Sequence, residues 1–477
     1  MCIKKPSSLS EWEGSVPENS LEGRILDKYG LSPKDVESMS TTRTGELTLV
    51  TIQLSAAYPA CPSCAHPHPH VYNYSPKKIN MDLIAGDKCF LIYRQRRYRC
   101  PQCGRSYLET SPFTFKKQRI AKEKVLDILN CLKSPTETFS SAARRFNVSP
   151  TTVQNLFDQF VCVATHRSLP EVLLIDEVHA FHSEFSEYVC MFLDGRTLEP
   201  VDLLPTRRKA DLLDYFRQYP PEEREKVRYF SSDMYKAYQE AARVLFPNAV
   251  IAIDRFHVAQ LFSRQAQKVR IRIMNGQSGP ERRKNYSLLK NHNNLLTVSR
   301  NTRVEAMEGS SVRYVKIFDP MAARKYSPIL QRKVNSAGLL QAILEIHPDL
   351  VTTRKLADQF EELFKRYKSP KEAARPLHRL IQALKASGIT ELISVGETMD
   401  SYRQQILNSF TTTEEYWVVD PKDGSADKYE KKLTSSLIEN KNRIVKIIKN
   451  NANGYRNWKR FRNRVLWCLI KDLPLRG

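Results

Sequence analysis

A chain of 477 residues is too long for one compact core, so three or more domains are expected. Lys and Arg outnumber Asp and Glu by 75 to 52, a formal charge of +23, which calls for a polyanionic partner, most plausibly nucleic acid. No run of 18 apolar residues occurs and no apolar signal core follows Met1-Cys-Ile-Lys-Lys-Pro, so neither a membrane span nor export is expected. Ten cysteines in a cytosolic chain read as thiols or metal ligands, not disulfides.

Residues 1–58 are weakly patterned. One short helix is expected within Pro17–Tyr29, against which Gly23 counts, and Glu46–Leu54 alternates like a strand. Between 59 and 110, Cys61-Pro-Ser-Cys64 and Cys100-Pro-Gln-Cys103 form two C-x2-C knuckles around a strand-like insert. Four thiolates at that spacing suit one tetrahedral structural zinc ion, two from each tight turn. Cys89 and the His-Pro alternation of His66, His68 and His70 are weaker ligand candidates. Arg94, Arg96, Arg97 and Arg99 crowd one strand, either as a solvated edge or as a grip on phosphates.

Residues 118–165 change to helical periodicity. Val125, Ile128, Leu129 and Leu132 make one apolar stripe. Small Ala142 and Ala143, the turn at Phe146-Asn147-Val148, the cap Ser149 and Pro150 at a first helical position then spell a helix-turn-helix. Its second helix would present Thr151, Thr152, Gln154 and Asn155 to the major groove; the alternative is an ordinary helical hairpin.

From 170 to 265 the order is three strands (172–175, 188–194, 197–204), then helix, strand, helix, strand, helix. That is the order of a ribonuclease-H-like α/β core. Asp176 ends the first apolar run and Asp233 follows the fourth strand, and those two strands are expected to be neighbours. Residues 266–430 read as an inserted helical domain, and the core resumes over 431–477 with a basic helix bearing Glu439. Three carboxylates on rigid elements are equipped to hold two magnesium (or manganese) ions, and two such ions support phosphodiester cleavage and rejoining. A lone Asp at a strand end is otherwise a turn former or cap, and for Asp233 capping of a helix from Met234 competes. Glu177 alternates to the opposite strand face and is supporting. Asp254 and His257, at another strand-to-helix junction, either approach the site or serve as a cap and a packed ring. From Lys441 to Arg464 nine basic residues occur without an acid, among them Lys441, Arg443, Lys446, Arg456, Arg460 and Arg464, a phosphate-gripping strip beside Glu439.

Taken together, the double C-x2-C ribbon, Ile175-Asp-Glu177, Ser232-Asp-Met-Tyr235, Phe246-Pro-Asn-Ala249, Asp254-Arg-Phe-His257, Ile438-Glu-Asn440 and Gly454-Tyr-Arg-Asn457 resemble the bacterial insertion-sequence transposases of the L-three type, within the DDE class. The resemblance implies an α+β multidomain chain whose core is interrupted before its last acid, with Asp176, Asp233 and Glu439 as catalytic, magnesium-binding residues. It also implies double-stranded DNA partners (terminal inverted repeats and target), a homodimer or higher oligomer on DNA, and a cytoplasmic, nucleoid-associated location. Cleavage at the element's ends and joining of the freed 3′-hydroxyls would follow. Two rivals remain from the residues alone: a DNA-binding regulator without chemistry, and a nuclease that cuts without joining.

Overall fold

The computed structural model describes residues 20–82, 88–165, 168–184, 186–308, 311–419, 426–433 and 438–475. Expectations for residues 1–19 and for 435–437 lie outside them. The chain divides into two units.

The first unit holds residues up to Val163 together with Asn450–Asn453 and Asn463–Gly477. Helix α1 (Leu21–Lys28) starts at Ser20, whose hydroxyl accepts from Gly23 N at 3.0 Å. Strands β1 (Val36–Thr44), β2 (Leu47–Leu54), β3 (His70–Asn80), β4 (Lys88–Arg99) and β5 (Ser106–Leu108) make one sheet, ordered β1-β2-β4-β3 with β5 on β4. The parallel pairing of β2 with β4, Leu47 to Ile52 against Lys88 to Tyr93, corrects the boundary expected at residue 58, because strands on either side of it share one ladder. Val50, Ile52, Ile79, Leu91 and Tyr93 are buried in a common core under this sheet, so neither half buries its apolar face alone. Helices α2 (Lys122–Cys131), α3 (Phe139–Arg145) and α4 (Pro150–Phe160) follow. The expected stripe Val125, Ile128, Leu129 and Leu132 is fully buried. Asn147 takes a left-handed φ of 48° between α3 and α4, a conformation Asn tolerates better than most residues, and Ser149 Oγ accepts from Thr152 N at 3.1 Å.

The second unit opens with β6 (Val172–His179), β7 (Tyr188–Asp194) and β8 (Pro200–Leu204), then α5 (Lys209–Arg217), α6 (Pro221–Glu225), β9 (Tyr229–Ser232), α7 (Lys236–Leu245), β10 (Val250–Ile253) and α8 (Arg255–Asn275). The sheet order is β10-β9-β6-β7-β8, with β6, β7 and β8 antiparallel and β9 and β10 parallel to β6. Strands covered on both faces read as continuous apolar runs, as Val172-Leu-Leu-Ile175 does. Helix α8 passes the boundary expected at 265 without a break. Val258, Phe262, Ala266, Val269 and Ile273 along its length join one apolar cluster with Leu350, Phe360, Leu377 and Leu392.

That cluster belongs to α9 (Arg282–Asn291), α10 (Ser336–Leu344), α11 (Pro348–Arg366), α12 (Pro370–Lys385), α13 (Thr390–Ser401) and α14 (Arg403–Asn408). The segment is not helical throughout. Three hairpins interrupt it: β11 (Arg303–Glu308) with β12 (Ser311–Lys316), β13 (Lys325–Ser327) with β14 (Arg332–Val334), and β15 (Thr412–Val419) with β16 (Ala426–Lys432). Val304 lies between Arg303 and Glu305 there, a period of two that the overall charge had masked.

Two helices close the chain, α15 (Ile438–Asn451) and α16 (Trp458–Leu469). The expected continuous segment 431–477 is corrected here too, since Asn463 onward belongs to the first unit. Trp467 Nε1 donates to Leu129 O at 2.8 Å, and Arg464 donates to Ser134 O and Glu137 O at 2.9 and 2.8 Å. Among the described residues no helix is long and apolar enough to cross a membrane.

Candidate functional site

Strand β6 pairs with β9 only from Val172 to Leu174, but with β7 as far as His179. Asp176 therefore lies inside β6, not at its end, at the point where the parallel neighbour stops and leaves an edge open. Asp233 follows the last residue of β9, and Asp254 follows β10. All three acids thus sit toward the carboxyl ends of neighbouring parallel strands, where open α/β sheets place their ligands. Together with His257, Glu439 and Asn442 they line one open cleft of about 950 Å³, whose wall also carries Arg443 and Lys446. Glu439 is in the first turn of α15.

Each acid has a distinct local hold. Asp176 Oδ1 accepts from Glu177 N at 2.8 Å, Asp176 Oδ2 accepts from the Asn442 amide at 2.8 Å, and His257 Nε2 stands 3.8 Å from Asp176 Oδ1. Asp233 Oδ1 accepts from Tyr235 N at 2.9 Å, in a turn ahead of α7. Since α7 begins at Lys236, the capping role from Met234 does not apply. Asp254 does cap, accepting from Phe256 N at 3.0 Å at the start of α8. Glu177 also borders the cleft, but Arg207 engages both its carboxylate oxygens at 2.8 and 2.9 Å. Arg207 itself lies over the rings of Tyr188 and Tyr235, at 4.4 and 5.0 Å from their centroids.

Burial pushes the Asp176 carboxyl up to about 6; the Glu177 N–H and His257 oppose the rise, while the charges of Asp233 and Asp254 add to it. Burial likewise raises Asp233. Hard carboxylate oxygens held in a partly desolvated cleft fit divalent magnesium or manganese. The carboxylates do not share the mutual 4.8 Å spacing found for the four ribbon thiols. That spacing is what one ion needs; a pair of ions roughly 3.5–4 Å apart spreads its ligands further. The proton on Asp176 must compete with such cations. Manganese affinity, measured by calorimetry, is therefore expected to weaken by up to about tenfold per unit as pH falls below about 6, and to level off above it.

Asn442 was not anticipated from the sequence, although it follows Glu439 by three residues and a helix puts such positions on one face. It is 6% exposed, and its Oδ1 has no hydrogen-bond partner among the described residues. Asn442→Ala is expected to lower turnover by about 10–100-fold, as loss of a group that orients a ligand does, with little change in DNA binding; unchanged turnover would remove Asn442 from the site. Arg207 was also missed, and 30 residues of separation left no local pattern to find it by.

The ribbon is assembled in the first unit. Ligand atoms of Cys61, Cys64, Cys100 and Cys103 lie within 4.8 Å of one another, a cluster that fits a zinc ribbon. The residue after each second cysteine, Ala65 at φ 57° and Gly104 at φ 70°, turns the chain through the left-handed region. The backbone N–H of Ser63 is the main influence lowering the Cys61 thiol, while against the pull of the His66 N–H burial and the neighbouring thiols raise Cys64. Cys89 is buried in the sheet's core and stands outside the cluster, as do His66, His68 and His70.

The proposed DNA contacts separate by exposure. On α4, Thr151 and Asn155 are exposed, while Thr152 and Gln154 are half-buried. Arg443, Lys446 and Arg456 are exposed, and Lys441 and Arg460 half-buried. Arg94 and Arg97 are half-buried, Arg94 lying over Tyr74 at 5.2 Å. Two assignments are corrected. Arg96 is 1% exposed and ion-paired with Glu37 and Glu109. Arg464 is fully buried against the backbone carbonyls already described. Both guanidiniums answer internal acceptors, not phosphates. Arg96→Ala is expected to destabilise the protein by about 3 kcal/mol, because it empties a fully buried site and leaves the largely enclosed Glu109 without its cation, while DNA affinity of the folded fraction stays within twofold. A selective loss of DNA affinity at unchanged stability would restore the phosphate role.

Comparison with known proteins bears on the whole arrangement. The model of the ISL3-type DDE transposase family, described as transposase, matches residues 173–415, just over half of the chain and including Asp176 and Asp233 but ending before Glu439. The chain is also 23% identical over 430 residues to the transposase for insertion sequence element IS1001 of Bordetella parapertussis, covering 87% of this chain and 90% of that one. With these matches added to the geometry, the chain belongs to the ISL3 family of DDE transposases.

Proposed function

We propose that this protein binds the terminal inverted repeats of an insertion sequence, cleaves DNA at the element's ends and joins the 3′-hydroxyls to target DNA in one active site. The observation that carries this is the convergence of Asp176, Asp233 and Glu439, from three separate stretches of chain, on one basic-walled cleft. The strand order β8-β7-β6-β9-β10, three antiparallel strands followed by two parallel ones, supports a ribonuclease-H-like core beneath it. A pair of magnesium or manganese ions, when bound, would neutralise the scissile phosphate and lower the cost of forming the attacking oxygen. Asp176, Asp233 and Glu439 would hold those ions.

The chain's own groups prepare that site. Asn442 and the Glu177 N–H fix both oxygens of Asp176, and Arg207 keeps Glu177 engaged elsewhere. Arg443 and Lys446 supply positive charge for the DNA backbone along the same wall. Helix α4 reads the ends through Thr151 and Asn155 in the manner of a helix-turn-helix, and the zinc-loaded ribbon supports that contact. Two ends must be joined together, so the working form is at least a dimer.

A strand-transfer assay with pre-cut terminal-repeat DNA, a target plasmid and magnesium or manganese tests the proposal. Joined product is expected. Binding without cleavage or joining would leave a DNA-binding regulator, and cleavage without joining a nuclease.

A further inference from the structure

Several cations of the insertion are paired with neighbouring acids. Arg300 and Arg354 pair with Asp358, Lys365 with Glu361, Arg366 with Glu362, Arg272 with Asp349 and Glu391, and Lys385 and Arg403 with Asp400. The hairpins β11–β12 and β13–β14 carry exposed cations as well. Across β11–β12, Arg303 faces Lys316 and Glu305 faces Tyr314. Directly opposed residues in an antiparallel pair share a face, and these four are all exposed. The other face buries Ala306 and rests Val304 against the insertion's apolar cluster, so the hairpin is anchored on one side only. In β13–β14, Tyr326 faces Lys333, beside exposed Lys325. Ala323 N donates to Glu305 O at 3.3 Å, which ties the two hairpins together. Tyr314 and Tyr326 are 60% and 62% exposed. Arg303, Lys316, Lys325 and Lys333 form no ion pair among the described residues, and Glu305 is the one acid on the β11–β12 face.

On a protein of net charge +23, four exposed cations that form no ion pair among the described residues, beside two bare tyrosines, present a surface for a polyanion. A helix face that merely dissolves the domain mixes its signs, as α11 does. Basic residues interleaved with exposed aromatic rings are the composition that holds nucleic acid, the cations on phosphates and the rings on sugars or bases.

We propose that the paired hairpins of residues 303–334 form a separate, sequence-independent contact for double-stranded DNA, made by Arg303, Lys316, Lys325 and Lys333 with Tyr314 and Tyr326. This rests on the transposase reading but goes beyond it, since it gives the insertion a DNA-holding role apart from the cleft and from α4.

The full-length triple variant K316E/K325E/K333E and the double variant Y314A/Y326A are compared with the parent by mobility shift on a mixed-sequence duplex and on terminal-repeat DNA, over a range of salt. Charge reversal is expected to weaken both complexes by about 10–100-fold and to flatten the slope of log affinity against log salt by about 3. The tyrosine variant is expected to weaken both by about 3–30-fold with the slope kept, and K316R/K325R/K333R to bind as the parent does. Parental affinity and slope in the charge-reversed variant would overturn the inference. So would a shift in sedimentation with DNA affinity intact, which would make the hairpins a contact between protein chains. A parent that binds no DNA at all would instead sink the underlying functional reading.

Discussion

Asp176→Asn is expected to lower cleavage and joining by at least about 10³-fold, equivalent to ~4 kcal/mol of barrier, while terminal-repeat binding stays within about threefold. The substitution keeps the side chain's size and one oxygen but removes the charge that a divalent cation requires. It also leaves the rest of the cleft's scaffold in place: the backbone pairing of β6 with β7, and the Arg207–Glu177 pair. Binding is spared because the substitution leaves the exposed cations of α15 and the helix α4 themselves unaltered. Asp233→Asn and Glu439→Gln should behave alike, and combining any two should cost little more than one, since groups acting as a unit are not additive. Cleavage by Asp176→Asn above about a tenth of the parental rate, in magnesium or in manganese, would end the assignment.

Zinc removal carries the second large effect. Purified protein is expected to hold one zinc per chain, and a strong chelator, or the pair Cys64→Ser and Cys103→Ser, should release it. Structural zinc contributes on the order of 10 kcal/mol to folding its module, more than a small two-knuckle hairpin recovers from packing. Limited proteolysis should then cut between 59 and 110, and terminal-repeat binding should drop by about tenfold or more. Because β3 and β4 run directly between the knuckles and pair with each other, and β4 pairs with β2, loosening should spread into β1 and β2 as well. Full zinc content in the doubly substituted protein, or resistance of the chelated one to protease, would contradict the ribbon.

The elements most legible in the sequence carried their own determinants. Both cysteine knuckles need only four residues and a left-handed turn, and α4 needs only Ser149, Pro150 and its apolar stripe. Asp176 announced itself because a charged group closing Val172-Leu-Leu-Ile175 has no reason to lie on a buried strand unless something uses it. The least legible features were partnerships. Arg96 and Arg97 are adjacent in the same basic run, yet one is sealed between Glu37 and Glu109 and the other half-exposed. The strands of the insertion were hidden because their many charged residues resemble a solvated helix when read only by composition.

What the sequence determined by itself was therefore local: the capped helices, the alternating strands, the thiol turns and the three acids worth watching. The tertiary structure alone decided that β2 joins β4 across residue 58, that α8 continues from the sheet into the insertion, and that Asn463 onward returns to the first unit. It also decided that Asn442 reaches Asp176, 266 positions away. Helical period, strand alternation and capping are set by a few consecutive residues and their backbone preferences. Which strand finds which, and which cation meets an acid before it meets a phosphate, depends on burying apolar surface between distant segments, and no short window of sequence carries that information.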